Sequence, residues 1–194
     1  MRLVSATATA FVLFYLAWGV GYWLLPEGVL RGRLPAGNLD LDTSRIPTLA
    51  GQIFLYNLGI PGGLTVVASW VHVGRYSLGY NIPFLNTVLY GLVLGSNSFA
   101  VPMPVRLAPT LAVLYQRSGP MEMLAYTIMA AALARTGRIR QEGLLGGPAY
   151  RMPPEERQPL GLREYLTLVA AVALLAAAAW REAAMLWERI TAGS

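Results

Sequence analysis

Residues 3–25 contain no charged side chain, and an apolar run of this length limits what the chain can fold into. As a helix it would cross about 30 Å of hydrocarbon, which takes about 20 apolar residues. A cleaved signal peptide has a shorter apolar region of about 7–15 residues, followed by small residues at the cleavage site. Here Tyr22 and Trp23 follow instead, and they are typical of an aromatic belt at a membrane interface. The stretch therefore predicts a first membrane span that is retained.

Further stretches of the chain are also largely apolar. Charged residues make up 13% of the sequence, whereas soluble domains have about 25%, so the composition indicates a membrane protein. We expect an all-α, polytopic helical membrane protein with about five transmembrane helices, plus broken or re-entrant segments. Residues 1–194 would form a single helical membrane domain, with polar loops at 26–45 and 135–163. The further apolar regions are residues 46–73, 82–100, 118–136 and 164–187.

Two stretches do not resemble regular helices. Residues 46–73 contain Asn57 and then a Gly- and Pro-rich segment around Pro61, which predicts a broken or kinked helix. This region is either one discontinuous span or two shorter segments, one of them in the interface. Residues 101–117 contain three prolines, which favours a half-helix or a re-entrant segment.

The distribution of arginine predicts the orientation. All fifteen basic residues are arginine, and six of them lie between residues 135 and 163. The positive-inside rule places this loop in the cytoplasm, and five crossings of the cell membrane would then place the N-terminus there too, as Arg2 suggests. If residues 101–117 also crossed the membrane, there would be six crossings, and one end of the chain would lie on the opposite side of the membrane. Because the arginines lie in short loops, they indicate membrane orientation rather than binding to nucleic acid.

Glu122 is the first candidate for a functional residue. It lies near the start of an apolar helix, and an ionisable group at membrane depth costs roughly 2.5–3.5 kcal/mol on insertion scales. One interpretation is a capping box, with Gly119 as N-cap and Pro120 as the first helical residue. The other is a relay for protons or cations, or the polar anchor of a solute path.

Other polar and small residues complete the candidate set. Asn57 and Asn97 are candidate hydrogen-bonding partners inside the helical bundle. Glu182 follows an arginine near the end of the last span, where it either belongs to a snorkelling pair or lies within the bundle. Gly91 and Gly95 form a Gly-x-x-x-Gly pattern, which lets two helices approach closely.

The chain shows little of what an enzyme or a metal site requires. It has no cysteine and a single histidine, His72, so we expect neither a metal centre nor a cofactor. It has no phosphate-binding loop with lysine, no Gly-x-Ser-x-Gly and no His-Glu-x-x-His. We therefore expect a protein that is not an enzyme.

The order of these motifs resembles the stage II sporulation protein M family of integral membrane proteins. The shared features are an Asn-containing entry to a span, a Gly-x-x-x-Gly span, a Gly-x-x-Glu-x-x-Ala helix start and a terminal Ala-Ala-x-x-Glu helix. One departure is Ser118, which occupies the position where the family has histidine. The matching residues are Asn57, Gly91, Gly95, Gly119, Glu122, Ala125, Ala178, Ala179 and Glu182.

The resemblance implies a helical bundle that works within an envelope complex, because the sporulation member acts with a cell-wall hydrolase. We therefore expect a non-enzymatic integral membrane subunit with an assembly or scaffold role. Its partners would be the lipid bilayer and other membrane proteins, or further copies of itself. The alternative is the membrane subunit of a transporter, or a small permease, with Glu122 lining the path.

Overall fold

The structure, a computed structural model, describes residues 3–33, 41–143 and 146–192, and this part of the chain is mostly helical. Asp40 and the rest of residues 34–40, within the predicted polar loop, lie outside the described residues. The α-helices are α1 Leu3–Leu24, α2 Ile46–Asn57, α3 Gly63–Ser69, α4 Asn81–Gly95, α5 Leu111–Tyr115, α6 Gly119–Leu133 and α7 Leu162–Ala192. The strands are β1 Val71–Val73, β2 Tyr76–Ser77, β3 Ile139–Gln141 and β4 Ala149–Arg151.

Three helical segments of the described chain are long and apolar enough to cross a membrane: Leu3–Leu24, Leu78–Gly95 and Leu162–Thr191. The predicted helical character is confirmed, and the three segments are consistent with the predicted membrane protein. They are fewer than the five predicted spans. Helix α6 has 15 residues, which is short for about 30 Å of hydrocarbon at about 1.5 Å per residue, and the helical stretch of the 46–73 region is interrupted by a turn of another type.

The break predicted in residues 46–73 is a π-helical turn. This turn, Leu58–Gly62, joins α2 directly to α3, and Asn57, Gly62 and Gly63 all keep right-handed helical dihedral angles. Pro61 lies inside the turn. A single wide turn lets the helix pass a residue that has no backbone N–H, so the chain continues without leaving the helical path.

Helices α1 and α4 lie side by side and run parallel, with Gly91 against Phe14 and Gly95 against Trp18 and Tyr22. A Cβ atom added at Gly91 would lie 2.7 Å from the Phe14 carbonyl oxygen, closer than real Cβ atoms come to a neighbour. The predicted Gly-x-x-x-Gly pattern therefore marks a true close approach of two backbones, which only glycine allows here.

Helix α7 packs antiparallel to both α2 and α6. The start of α2 meets the C-terminal half of α7 in one apolar cluster, which includes Leu49, Ile53, Ala179 and Ala183. The middle of α7 meets α6 and the end of α2 in another, around Tyr126. The alanine-rich face of α7 leaves room for the larger side chains of its two neighbours.

A four-stranded sheet, in the order β2-β1-β3-β4, closes one end of the helices, and we call this the sheet end. Strands β1 and β3 are parallel, and the other two pairs are antiparallel. The Nε2 atom of His72 in β1 lies 2.9 Å from the carbonyl oxygen of Ala134, just after α6. The all-α prediction missed this sheet, because strands of two or three residues are too short to show an alternating pattern.

At the opposite end, residues 96–110 form an irregular segment that packs against α1 and α4. The indole nitrogen of Trp18, which is fully buried, donates to the carbonyl oxygen of Leu107 at 2.8 Å. The guanidinium of Arg106 donates to Gly21 O at 2.6 Å and to Gly95 O at 3.1 Å. One arginine thus caps the C-terminal ends of two parallel helices, where carbonyl groups lack partners.

Candidate functional site

The carboxyl groups of Glu122 and Glu182 are close enough to interact directly with each other. Glu122 is in the first turns of α6 and Glu182 is in the C-terminal half of α7, so the antiparallel packing of these helices brings them together. The Oε1 atom of Glu122 is buried and has no hydrogen-bond partner among the described residues. A hydrogen bond between two carboxyl groups requires a proton on one of them, since ionised carboxylates only accept.

This geometry differs from the predicted capping box. Helix α6 begins at Gly119 and not at Pro120, and the preceding Ser118 already has helical dihedral angles and gives no side-chain cap. Glu122 is then the fourth helical residue, and its carboxyl group is directed at α7 instead of at the helix start. Gly119 is inside the helix rather than at the N-cap position.

For Glu182 the sequence left two interpretations open, a snorkelling pair at the end of a span or a position within the bundle. Arg181 is exposed, and its guanidinium donates to the carbonyl oxygen of Tyr115. Glu182, the next residue, is on the side of α7 that faces α6. Of the two interpretations left open by the sequence, the position within the bundle is the one observed.

Two tyrosines and two arginines surround the carboxyl pair. Tyr90 of α4 and Tyr126 of α6 are both close enough to interact with the two carboxyl groups electrostatically. Arg117, just before α6, interacts with Tyr90, and its Nε is buried without a partner among the described residues. Arg189 of α7 lies near Glu182. The pair therefore has cationic groups nearby, although neither arginine forms an ion pair with it in the described structure.

Asn57 joins this site through its backbone. Its carbonyl oxygen accepts a hydrogen bond of 3.2 Å from the hydroxyl of Tyr126. In a regular α-helix this carbonyl would accept from the amide of residue 61, which is proline here and has no N–H. From the sequence we expected the Asn57 side chain to act, whereas the structure uses the main chain at this position.

Gly119 lets the ring of Tyr90 pack against the start of α6. A Cβ atom at position 119 would overlap the Tyr90 ring, so only glycine lets this ring cross the start of α6. Tyr90 and Tyr126 were both missed as site residues. Tyr126 follows Glu122 by four residues, so helical spacing could have found it, whereas the sequence carries no signal that brings Tyr90 to the same place.

Asn97 serves a different, local role. It is fully buried with a φ angle of 50°, a left-handed conformation that asparagine tolerates better than most residues. Its Nδ2 donates to Glu27 at 2.6 Å and to the Met103 carbonyl oxygen at 2.8 Å, while its Oδ1 accepts from the Met103 amide at 2.9 Å. The side chain thus fixes the turn after α4 and does not reach into a cavity.

Two cavities lie away from the carboxyl pair. One has a volume of about 690 Å³, is largely apolar and is lined by residues of α1, α6 and α7 such as Leu3 and Leu166. The other, of about 580 Å³, lies near the sheet. Neither is lined by Glu122 or Glu182, and the described residues hold no cluster of three or more potential metal ligands. The Oε1 atom of Glu122 is instead buried where α6 packs on α7.

Comparison of the chain with protein-family models, with curated proteins and with solved structures found no match. The resemblance to the stage II sporulation protein M family therefore stays a prediction from the motifs alone. What the protein does must be inferred from the residues of this chain.

Proposed function

We propose that this protein is a non-enzymatic integral membrane subunit of an envelope protein complex, with an assembly or scaffold role. The observation that carries the proposal is the position of the Glu122–Glu182 pair, which lies between the packed helices α6 and α7 with the Oε1 atom of Glu122 buried. A polar pair between two packed helices stabilises their association. The three apolar helices supply the membrane anchor.

The proposed topology has five crossings of the cell membrane. The continuous helix from Ile46 to Ser69, with its π-helical turn, adds one crossing to the three long helices, and α6 adds a short one. The described arginines of residues 135–163 are then all at or near the sheet end, which the positive-inside rule places in the cytoplasm together with the N-terminus of α1. Packing of Ala6 against Ala130 is consistent with this arrangement.

In this proposal the shared proton of the carboxyl pair bridges α6 and α7. Interhelical hydrogen bonds in membranes contribute about 0.6 kcal/mol on average and about 1.7 kcal/mol at most. The greater effect comes from removing one partner, because an unpaired ionised carboxylate at this depth is costly. The pair therefore specifies which faces of the two helices meet.

A transporter subunit is the second candidate, and one observation favours it. Carboxyl, phenol and guanidinium groups from α4, α6, α7 and the segment before α6 converge around Glu122. Such groups can pass protons or accompany a cation through a membrane protein. In this alternative Glu122 is part of a path that opens in another conformation.

Glu122→Gln and Glu122→Ala separate these proposals. In the scaffold role, glutamine preserves complex assembly because its amide can donate to Glu182, whereas alanine leaves Glu182 alone and reduces assembly. Assembly is measured by purification from native membranes in mild detergent, with the mass of the complex and the identity of co-purifying subunits as the result. Leu166→Ala, on an exposed part of α7, is the control.

Proton flux in proteoliposomes tests the alternative. If the wild-type protein purifies alone and conducts protons, and Glu122→Gln stops this flux while the fold is retained, the transporter proposal replaces the scaffold. If Glu122→Ala assembles as well as the wild type, the carboxyl pair has no part in assembly.

A further inference from the structure

The cavity of about 580 Å³ lies between the end of α3, the end of α6 and the segment that leads into α7. Its lining combines apolar side chains with two guanidinium groups and a threonine. These residues include Val66, Leu133, Leu160, Thr136, Arg138 and Arg157. The cavity is therefore at the sheet end, where the apolar helices give way to the polar segments.

Arg138 is held over a ring of the cavity wall. Its guanidinium carbon lies 4.5 Å from the centre of the Trp70 ring, a cation–π contact. The backbone amide of Arg138 donates to the Trp70 carbonyl oxygen at 2.7 Å, which fixes the chain beside the ring. Within the described residues the guanidinium forms no ion pair. Stacking occupies its face and leaves the N–H groups at its edge able to donate.

Arg157 supplies the second positive charge. Its guanidinium donates twice to the carbonyl oxygen of Met152, once through Nε at 2.8 Å, so its position is fixed. A guanidinium has five N–H donors, and this arrangement uses only part of them. Two fixed cations, a threonine and an apolar wall thus border one cavity.

We propose that this cavity binds the phosphate headgroup of an anionic phospholipid. Arg138 and Arg157 bind the phosphate through charge-assisted hydrogen bonds, and the acyl chains leave along the apolar side of the cavity. Arginine suits phosphate because its planar donors match the oxygen geometry. Basic pockets between membrane helices on the cytoplasmic side are typical sites for such headgroups.

Charge and position favour a lipid over a soluble phosphate compound. Val66 and Leu133 of the wall belong to α3 and α6, which continue into the apolar part of the molecule, and Trp70 directly follows α3. Amphipathic rings such as that of Trp70 favour the headgroup level of a bilayer. A soluble phosphate would leave the apolar side of the cavity unoccupied, whereas a phospholipid covers both sides.

The test is native mass spectrometry of the detergent-purified protein with added phosphatidylglycerol or phosphatidylcholine. We expect bound phosphatidylglycerol to exceed phosphatidylcholine, and Arg138→Gln to weaken its binding by about fivefold or more. Arg138→Lys keeps the charge but loses the stacked, planar donors, so an intermediate loss is expected. The melting temperature of each variant checks its fold.

Arg151→Gln is the matched control, because Arg151 is an exposed arginine of β4 in the same segment and does not line the cavity. An equal loss from Arg138→Gln and Arg151→Gln would overturn the proposal in favour of general attraction to a basic surface. Equal binding of the two lipids would also overturn it. Complete displacement of phosphatidylglycerol by excess inorganic phosphate would show a site for free phosphate and not for lipid.

Discussion

Replacing Gly95 with alanine should separate α4 from α1. A Cβ atom at this position would overlap the Trp18 carbonyl oxygen and lie 2.7 Å from the Tyr22 amide nitrogen and 2.9 Å from the Gly21 carbonyl carbon. All three are backbone atoms, so no side-chain rotation can relieve the contact. The two helices must move apart to accept the methyl group.

The magnitude follows from these distances. Ordinary contact begins at about 3.4 Å, so the 2.7 Å approach to Tyr22 alone requires a shift of about 0.7 Å, and the closer Trp18 carbonyl oxygen requires more. A gap of that size removes about a quarter to a half of the dispersion attraction at each contact, and over-packing typically costs about 1–3 kcal/mol. Alanine gains about 0.5–1 kcal/mol over glycine from helix propensity. We expect a net loss of about 1–2 kcal/mol in the free energy of unfolding.

Gly51→Ala is the control, since Gly51 is also helical and nothing lies within 4 Å of the added Cβ. It should stabilise the protein by about 0.5–1 kcal/mol. Unfolding is measured by titration with sodium dodecyl sulfate in mixed micelles, followed by tryptophan fluorescence. If Gly95→Ala is as stable as Gly51→Ala, the close approach of α1 and α4 does not exist in the membrane protein.

Two further predictions concern the two ends of the molecule. Arg106→Gln should lower the stability in the same assay by about 2–3 kcal/mol, since it removes charge-assisted hydrogen bonds to two helix ends, and Arg106→Lys should lose less. No change with Arg106→Gln would mean that water caps both ends equally well. A reporter that requires export, fused near Gly146, should be inactive if the sheet end is cytoplasmic, and strong activity would reverse the proposed orientation.

The long apolar helices could be predicted because a run of about 20 residues without charge is typical of a membrane span and rare in soluble folds. The bounds of α1 agree closely with the predicted span at 3–25, and α7 extends past the predicted one at 164–187. The region around Pro61 was predicted as a broken or kinked helix, and the structure has a π-helical turn there. The sequence did not indicate that this turn would carry the helix past a residue that has no backbone N–H.

The candidate site could be predicted only in part. Glu122 and Glu182 were each recognisable as carboxylates in apolar surroundings, yet they are sixty residues apart in sequence. Only the antiparallel packing of α6 on α7 makes them a pair, and a sequence pattern does not encode which faces meet. The tyrosines were missed for the same reason, since buried aromatic residues are expected throughout a membrane bundle.

Arg106 explains how the irregular segment 96–110 can lie at the depth of Trp18. The parallel packing of α1 and α4 brings two C-terminal ends together, each with unpaired carbonyl groups and a partial negative charge. Non-helical backbone at membrane depth is tolerated only where it is buried in protein or lines water. The Arg106 guanidinium neutralises both helix ends, and the indole of Trp18 and the amide of Asn97 bind the segment's own backbone groups. These polar groups of the segment are therefore used within the bundle, and this suits a scaffold better than a solute path.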